Sequence, residues 1–205
     1  AGLEKKSKII SQREKQIIAH HEAGHALASW YLTHVDPLLK VSIVPRGKSL
    51  GSAWYLPEER QIKTQSEFSD SLCVALAGRA AEEIIFGELS SGALDDLEKV
   101  TKEAYHMVTY YGFNPTLGNI SFFDSTEERG LQKPYSEATG KLIDEEVRRL
   151  VAGAYQKTLS LLREHQQALI SVAQALLQKE VIDREDLEQL LGKRPVSQPL
   201  STHVL

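Results

Sequence analysis

Apolar residues recur at three- and four-residue spacing through most of this 205-residue chain, with one short alternating interruption in its first third. The pattern predicts a mainly helical fold. Ser11-Gln12-Arg13-Glu14 has the form of a capping box, so a first helix starts at Ser11 and runs to about Thr33, before Asp36-Pro37 ends it. Leu39 to Val44 alternates and is rich in β-branched residues, Pro45-Arg46-Gly47 turns the chain, and Ser52 to Leu56 reads as a second strand. The two strands predict a small antiparallel sheet beside the first helix.

Thr64-Gln65-Ser66-Glu67 is another capping box, opening a helix to about Phe86 that carries the small, tightly packable run Ala75 to Ala81. The loop Ser90 to Ala93 leads into a third helix over about 93–111, and residues 119–123 are expected to form a short strand. Residues 124–133 are polar and charged enough for a mobile loop. From Ser136 to about Gln178 the period is helical with a break near Glu164-His165, and Asp183 starts a last short helix. Residues 1–10 read as a linker, 11–192 as one folded domain ending in a helical bundle, and 193–205, with Pro195 and Pro199, as a disordered tail.

Hydrophobic residues make up 41 % and charged residues 25 % of the chain, the balance of a soluble globular protein. A net charge of -4 leaves no electrostatic footprint for nucleic acid. The single cysteine, Cys73, cannot form an internal disulfide and reads as a small buried hydrophobe, in keeping with a reducing compartment. No apolar run approaches the roughly 20 residues of a membrane span, and the start has no signal-peptide core. The absence of an initiator Met reads as a piece of something longer. Gly47-Lys48-Ser49 mimics the end of a phosphate-binding loop, but the pattern's first glycine would fall at Ser42, and Ile43 to Arg46 make no flexible cradle.

The chemistry is concentrated in His21-Glu22-Ala23-Gly24-His25, in the middle of the first helix. Residues four apart share a helix face, so both imidazoles can point at one metal ion, with Glu22 a step around the same rim. Paired histidines also occur in helices by chance. Here Ile17, Ile18, Ala26, Leu27 and Trp30 surround them, and a buried His pair without a ligand would be costly.

A catalytic zinc ion usually takes three protein ligands and leaves a fourth position open. The extended motif with a third histidine on the same helix fails, because Ala28 and Tyr31 stand where Gly and His would be needed. Glu82 or Glu83, Asp95 or Asp96, and the scattered His20, His34, His106 and His165 remain. His20 points about 100° away from His21 and cannot share its face. The other histidines read as structural. Asp95-Asp96 is delivered by a Gly-containing loop onto the first turn of a helix, but two acids there equally suit the helix dipole, so chemistry alone leaves the choice open.

The motif at His21 to Ala26, the run Asp36 to Gly47, Gly78-Arg79-Ala80-Ala81-Glu82-Glu83, Ser91-Gly92-Ala93-Leu94-Asp95-Asp96-Leu97 and Lys133 to Thr139 together resemble the peptidase domain of FtsH-type AAA proteases, in order and over nearly the whole chain. The wording is similar to both the mitochondrial matrix-facing branch and bacterial homologues. The resemblance implies a helical, zincin-like fold with one zinc ion per chain. It makes Asp96 the third ligand, Asp95 a variable neighbour, Glu22 the general base and Glu82 a group that orients a ligand. It also implies a hexamer, homo- or hetero-, anchored in the bacterial inner membrane or the mitochondrial inner membrane, with ATP used only by an AAA module outside this soluble segment. One departure is His20, where many relatives carry Tyr.

The expected function is therefore zinc-dependent endopeptidase action on unfolded, misfolded or membrane polypeptides fed by that module. Substrate is expected to add as a strand to the small sheet, at Val41, Ile43 and Trp54, with loose side-chain selectivity. Two rivals stand beside this reading. A ring-forming structural module would close its metal site with four protein ligands. A peptidase acting on free termini would need a residue set for the terminal amine, and none stands out.

Overall fold

The computed structural model describes residues 11–45, 51–56, 61–123 and 134–195. The expected linker 1–10, the loop 124–133, the residues after Pro45 in the first turn and the tail beyond Pro195 lie outside the described residues. Helix α1 (Gln12–Tyr31) begins as the capping box requires: the Glu14 amide donates to Ser11 Oγ, and the Ser11 amide donates to Glu14 Oε2 at 2.8 Å. From Ile18 to Trp30 it is buried all round. A helix in that position is normally apolar on every face, yet this one carries His20, His21, Glu22, His25 and Ser29, so each must find a partner inside.

Helix α2 (Gln65–Phe86) opens on the second capping box and ends at Gly87, whose left-handed backbone (φ 65°) lets its amide reach the Glu83 carbonyl. Small residues let α2 lie close against α1. A Cβ on Gly24 would stand 2.3 Å from the Ala77 carbonyl oxygen and 2.8 Å from the Ala81 methyl. A 3-10 turn at Ser91–Ala93 feeds α3 (Leu94–Thr109), and after the undescribed segment come α4 (Glu137–Glu164) and α5 (Gln166–Lys179). The expected break falls at His165, which stacks on Tyr31 at the end of α1.

The sheet has three strands, not two: β1 (Leu38–Ser42), β2 (Ser52–Tyr55) and β3 (Val181–Asp183), all antiparallel in the order β2-β1-β3. β3 is too short for a periodic signal. It fits between the left-handed cap of α5 at Glu180 and the Asp183 N-cap of α6 (Arg184–Leu191). Its presence makes β1 the central strand, which corrects the expectation for Val41 and Ile43. Val41 pairs with Ala53 on one side and Ile182 on the other, and the Ile43 amide donates to the Glu180 carbonyl. Both side chains are core, packed toward α1. Among the described strands, β2 carries a lateral edge that no other strand covers, and Trp54 lies on it.

Residues 119–123 form no strand. The Phe122 amide instead donates to the Thr109 carbonyl at 2.7 Å, closing the C-terminus of α3. Within the segment expected as a tail, Arg194 donates to the Val35 carbonyl at 2.6 Å, which ties it to the segment after α1. The main core joins α1, α2, α4, α5, α6 and the sheet around Leu27, Trp30, Val41, Leu162 and Leu176.

Alanine is the better helix former by about 1 kcal/mol. Gly24→Ala is nevertheless expected to destabilise the chain by about 1–3 kcal/mol, because the added methyl meets α2 backbone that cannot turn aside. The measurement is the urea midpoint at unchanged slope, and an unaltered or higher midpoint would show that α1 and α2 separate without cost.

Candidate metal centre

On α1, the one-turn spacing of His21 and His25 brings their Nε2 atoms to 3.1 Å. Asp96, in the first turn of α3, places Oδ2 3.2 Å from the first and 3.4 Å from the second. In tetrahedral zinc sites with metal–nitrogen bonds near 2.0–2.1 Å, neighbouring ligand atoms lie about 3.3 Å apart. The triangle of donors has that size, and its two imidazoles and one carboxylate are a set zinc accepts. Both rings are oriented from behind. His21 Nδ1–H donates to Glu82 Oε1 at 2.7 Å and His25 Nδ1–H to the Val74 carbonyl at 2.8 Å, so each Nε2 lone pair faces the common point.

Helix α2 supplies this support through one stripe at four-residue spacing. Val74 holds His25, Glu82 holds His21, and Gly78 lies between them, where a Cβ would stand 2.4 Å from His21 Nε2. Gly51, just before β2, is the matching gap for Glu22: a Cβ there would stand 2.3 Å from its Oε1. Glu82 has a second task. Its Oε2 accepts from the Ser90 amide at 2.7 Å, and Ser90 Oγ accepts from the Gly92 amide, so the carboxylate behind His21 also anchors the turn that delivers Asp96.

The remaining candidates lie elsewhere. Asp95 is exposed, and Glu83 accepts from the Tyr155 hydroxyl. His20 Nδ1–H donates to the Gln16 carbonyl at 2.8 Å, and the ring meets Phe86 edge-on. His34 pairs with Asp70, His106 stacks on Tyr110, and His165 stacks on Tyr31. Gly51, Gly78, Val74 and Ser90 escaped the reading of the sequence. Gly78 alone carried a signal, as a glycine inside a good helix, where it costs stability unless something packs against it.

Charge explains the titration of the group. Burial raises Glu22 above the ordinary carboxylate range, against the pull of His25 and His21. Burial would also raise Asp96, but its contacts with His21 and His25 hold it far below that range. For Glu82, burial is overridden by the His21 ring and the Ser90 amide, and its pKa falls. Burial would lower His21, but Asp96 and Glu82 carry it up to about 9. A proton on His21 thus answers three converging carboxylates, the demand a divalent cation would meet. The centre opens into a cleft of about 970 Å³, walled by Ile17, Ile18 and Leu94 and by Tyr55, Val74 and Ala75.

Residues 8–190 match the family model of Peptidase family M41. The ATP-dependent zinc metalloprotease FtsH of Parabacteroides distasonis is 53 % identical over 194 residues, which is 94 % of this chain and 28 % of that protein. The mitochondrial inner membrane m-AAA protease component yta12 of Schizosaccharomyces pombe is 53 % identical over 95 % of this chain and 25 % of its own length. The component AFG3L2 of Mus musculus is 50 % identical over 96 % of this chain and 25 % of its own length. The chain therefore spans about a quarter of the length of these relatives.

Gly78→Ala is expected to displace the His21 ring and weaken zinc binding while α2 stays folded, and Glu82→Ala to weaken it about 10–100-fold. Competition with a chromophoric chelator gives the affinities and far-UV circular dichroism the fold. Wild-type affinity in both variants would mean that α2 does not orient the ligand.

Proposed function

Because the chain belongs to peptidase family M41, we propose that it is the zinc endopeptidase part of a longer ATP-dependent protease, with His21, His25 and Asp96 as metal ligands and Glu22 as general base. The observation that carries this reading is the triangle of donor atoms at 3.1, 3.2 and 3.4 Å with a buried carboxylate beside it. Zinc held there would supply Lewis acidity toward a peptide carbonyl and lower the pKa of water. Glu22 takes the proton from the attacking water and passes it to the leaving amine. Its burial, which raises its pKa from the usual carboxylate range, brings it nearer the working pH of such a transfer. Glu82 and the Val74 carbonyl hold the imidazoles still while charge develops in front of them.

An extended peptide is held by the outer edge of β2, at Ser52 to Tyr55, where main-chain pairing accepts any sequence. That edge replaces β1 as the substrate strand. Trp54 stays part of it, its ring covered on one side by the Lys40 ammonium at 4.7 Å. Unfolded polypeptides delivered by an AAA module outside this chain are the substrate class, in a homo- or hetero-hexamer; the Parabacteroides relative is named as ATP-dependent and the yta12 relative as a component of a mitochondrial inner membrane protease. No helix among the described residues is long and apolar enough to cross a membrane, so any anchor would belong to another part of the protein. A purely structural metal site would need a fourth protein donor. Among the described residues the group is His21, His25 and Asp96, which favours an open, catalytic position.

Glu22→Gln is expected to cut peptide hydrolysis by about 10²–10⁴-fold with zinc still bound at one ion per chain; substantial residual turnover would remove the base assignment. Asp96→Asn is expected to lose zinc and activity together. Normal zinc stoichiometry with normal activity would move the third ligand elsewhere, Glu82 first. Removal of metal by 1,10-phenanthroline should abolish cleavage and added zinc restore it, and hydrolysis that survives chelation would contradict a metallopeptidase.

A further inference from the structure

Of the two edge strands, β2 is the one whose residues Ser52, Ala53 and Tyr55 line the cleft beside Glu22, so its position along α1 decides which peptide bond faces that carboxylate. Two contacts set that position. At one end, Gly51 lies against the Glu22 carboxylate with no room for a side chain. At the other, the Tyr55 hydroxyl lies 3.2 Å from Ser29 Oγ, on a fully buried serine one turn beyond His25. Ser29 has a single hydroxyl hydrogen, and the His25 carbonyl at 2.7 Å receives it. Tyr55 must therefore be the donor in its bond to Ser29. Strand residues 51 to 55 and helix residues 22 to 29 run side by side, about 13 Å against about 10 Å by their standard rises.

Backbone pairing also holds this end of the strand, with Leu38 opposite Tyr55 and the Leu56 amide donating to the Pro37 carbonyl at 2.8 Å, but only across a change of register. The ladder between β1 and β2 is interrupted by a bulge between Leu38 and Lys40, opposite the stretch from Trp54 to Tyr55. Burial, together with the carboxylates of Glu22 and Asp96, pushes the Tyr55 phenol up to about 12, so it keeps the proton that it donates to Ser29.

We propose that the hydrogen-bonded chain from Tyr55 through Ser29 to the His25 carbonyl is a register lock, which fixes the substrate-bearing edge of β2 relative to the metal-binding turn of α1. Tyr55 and Ser29 are positioning residues; neither is assigned contact with the reacting atoms. The proposal rests on β2 being the substrate edge. It predicts a particular division of effects, because an edge that slides still binds peptide but presents the carbonyl in the wrong place.

The test uses the zinc-loaded chain, a peptide with a single cleavable bond, and the variants Tyr55→Phe, Ser29→Ala and both together. Each single variant should lower kcat about ten-fold with KM changed less than about two-fold, at wild-type zinc content and with the far-UV circular dichroism of the folded chain. The double variant should be no worse than either single one, since both break the same chain. Independently of activity, amide hydrogen exchange at residues 52–55 should quicken in all three. Wild-type kcat with unchanged exchange in Tyr55→Phe, or additive losses in the double variant, would overturn the lock. Backbone N-methylation of the peptide separates the underlying reading: it should raise KM in the wild type. No rise would remove the β2 edge and the lock with it, whereas a rise beside an unaffected Tyr55→Phe would remove the lock alone.

Discussion

The close approach of α1 and α2 is the constraint on which the rest depends. Gly24 on one helix and Gly78 on the other leave gaps that any side chain would fill, and the histidine ring of one helix lies on the backbone of the other. Only at that separation can the stripe Val74, Gly78 and Glu82 stand directly behind His21 and His25. A slightly wider spacing would bury the same imidazoles without partners at Nδ1, which is costly in an apolar interior. Packing and metal chemistry are thus one requirement, met by residues with almost no side chain.

The polar interior follows from the same geometry. Glu82 is almost wholly buried, yet both of its oxygens are engaged, one by His21 and the other by the Ser90 amide. The turn of α1 that carries His21 and the entry to α3 are thereby joined through a single carboxylate. Asp96 then needs no long reach, since the turn that carries it is already fixed from below.

Much of this was legible in the sequence where the cause is local. The capping boxes at Ser11, Thr64 and Asp183 begin helices as their residue types require, and the break before α5 falls at His165 where the period fails. What depends on distant partners was not legible. Asp96 could not be separated from Asp95 or Glu82 by chemistry alone, because the choice is made by how α2 and α3 sit against α1. Val41 and Ile43 looked like an edge because the strand that covers them, β3, is three residues long and lies some 140 residues further along the chain. Gly51 and Gly78 matter through what they leave out, and only the second stands in a context that makes a glycine conspicuous.

The lateness of β3 has a consequence in time. During synthesis the histidines emerge first, Asp96 follows 75 residues later, and the strand that turns β1 into an interior strand comes only at residues 181–183. Until then β1 is itself an edge, bare along the side that β3 later covers. In this order the residues that gather His21, His25 and Asp96 are all made by residue 96, whereas the sheet beside them is completed only when almost the whole domain has been synthesised.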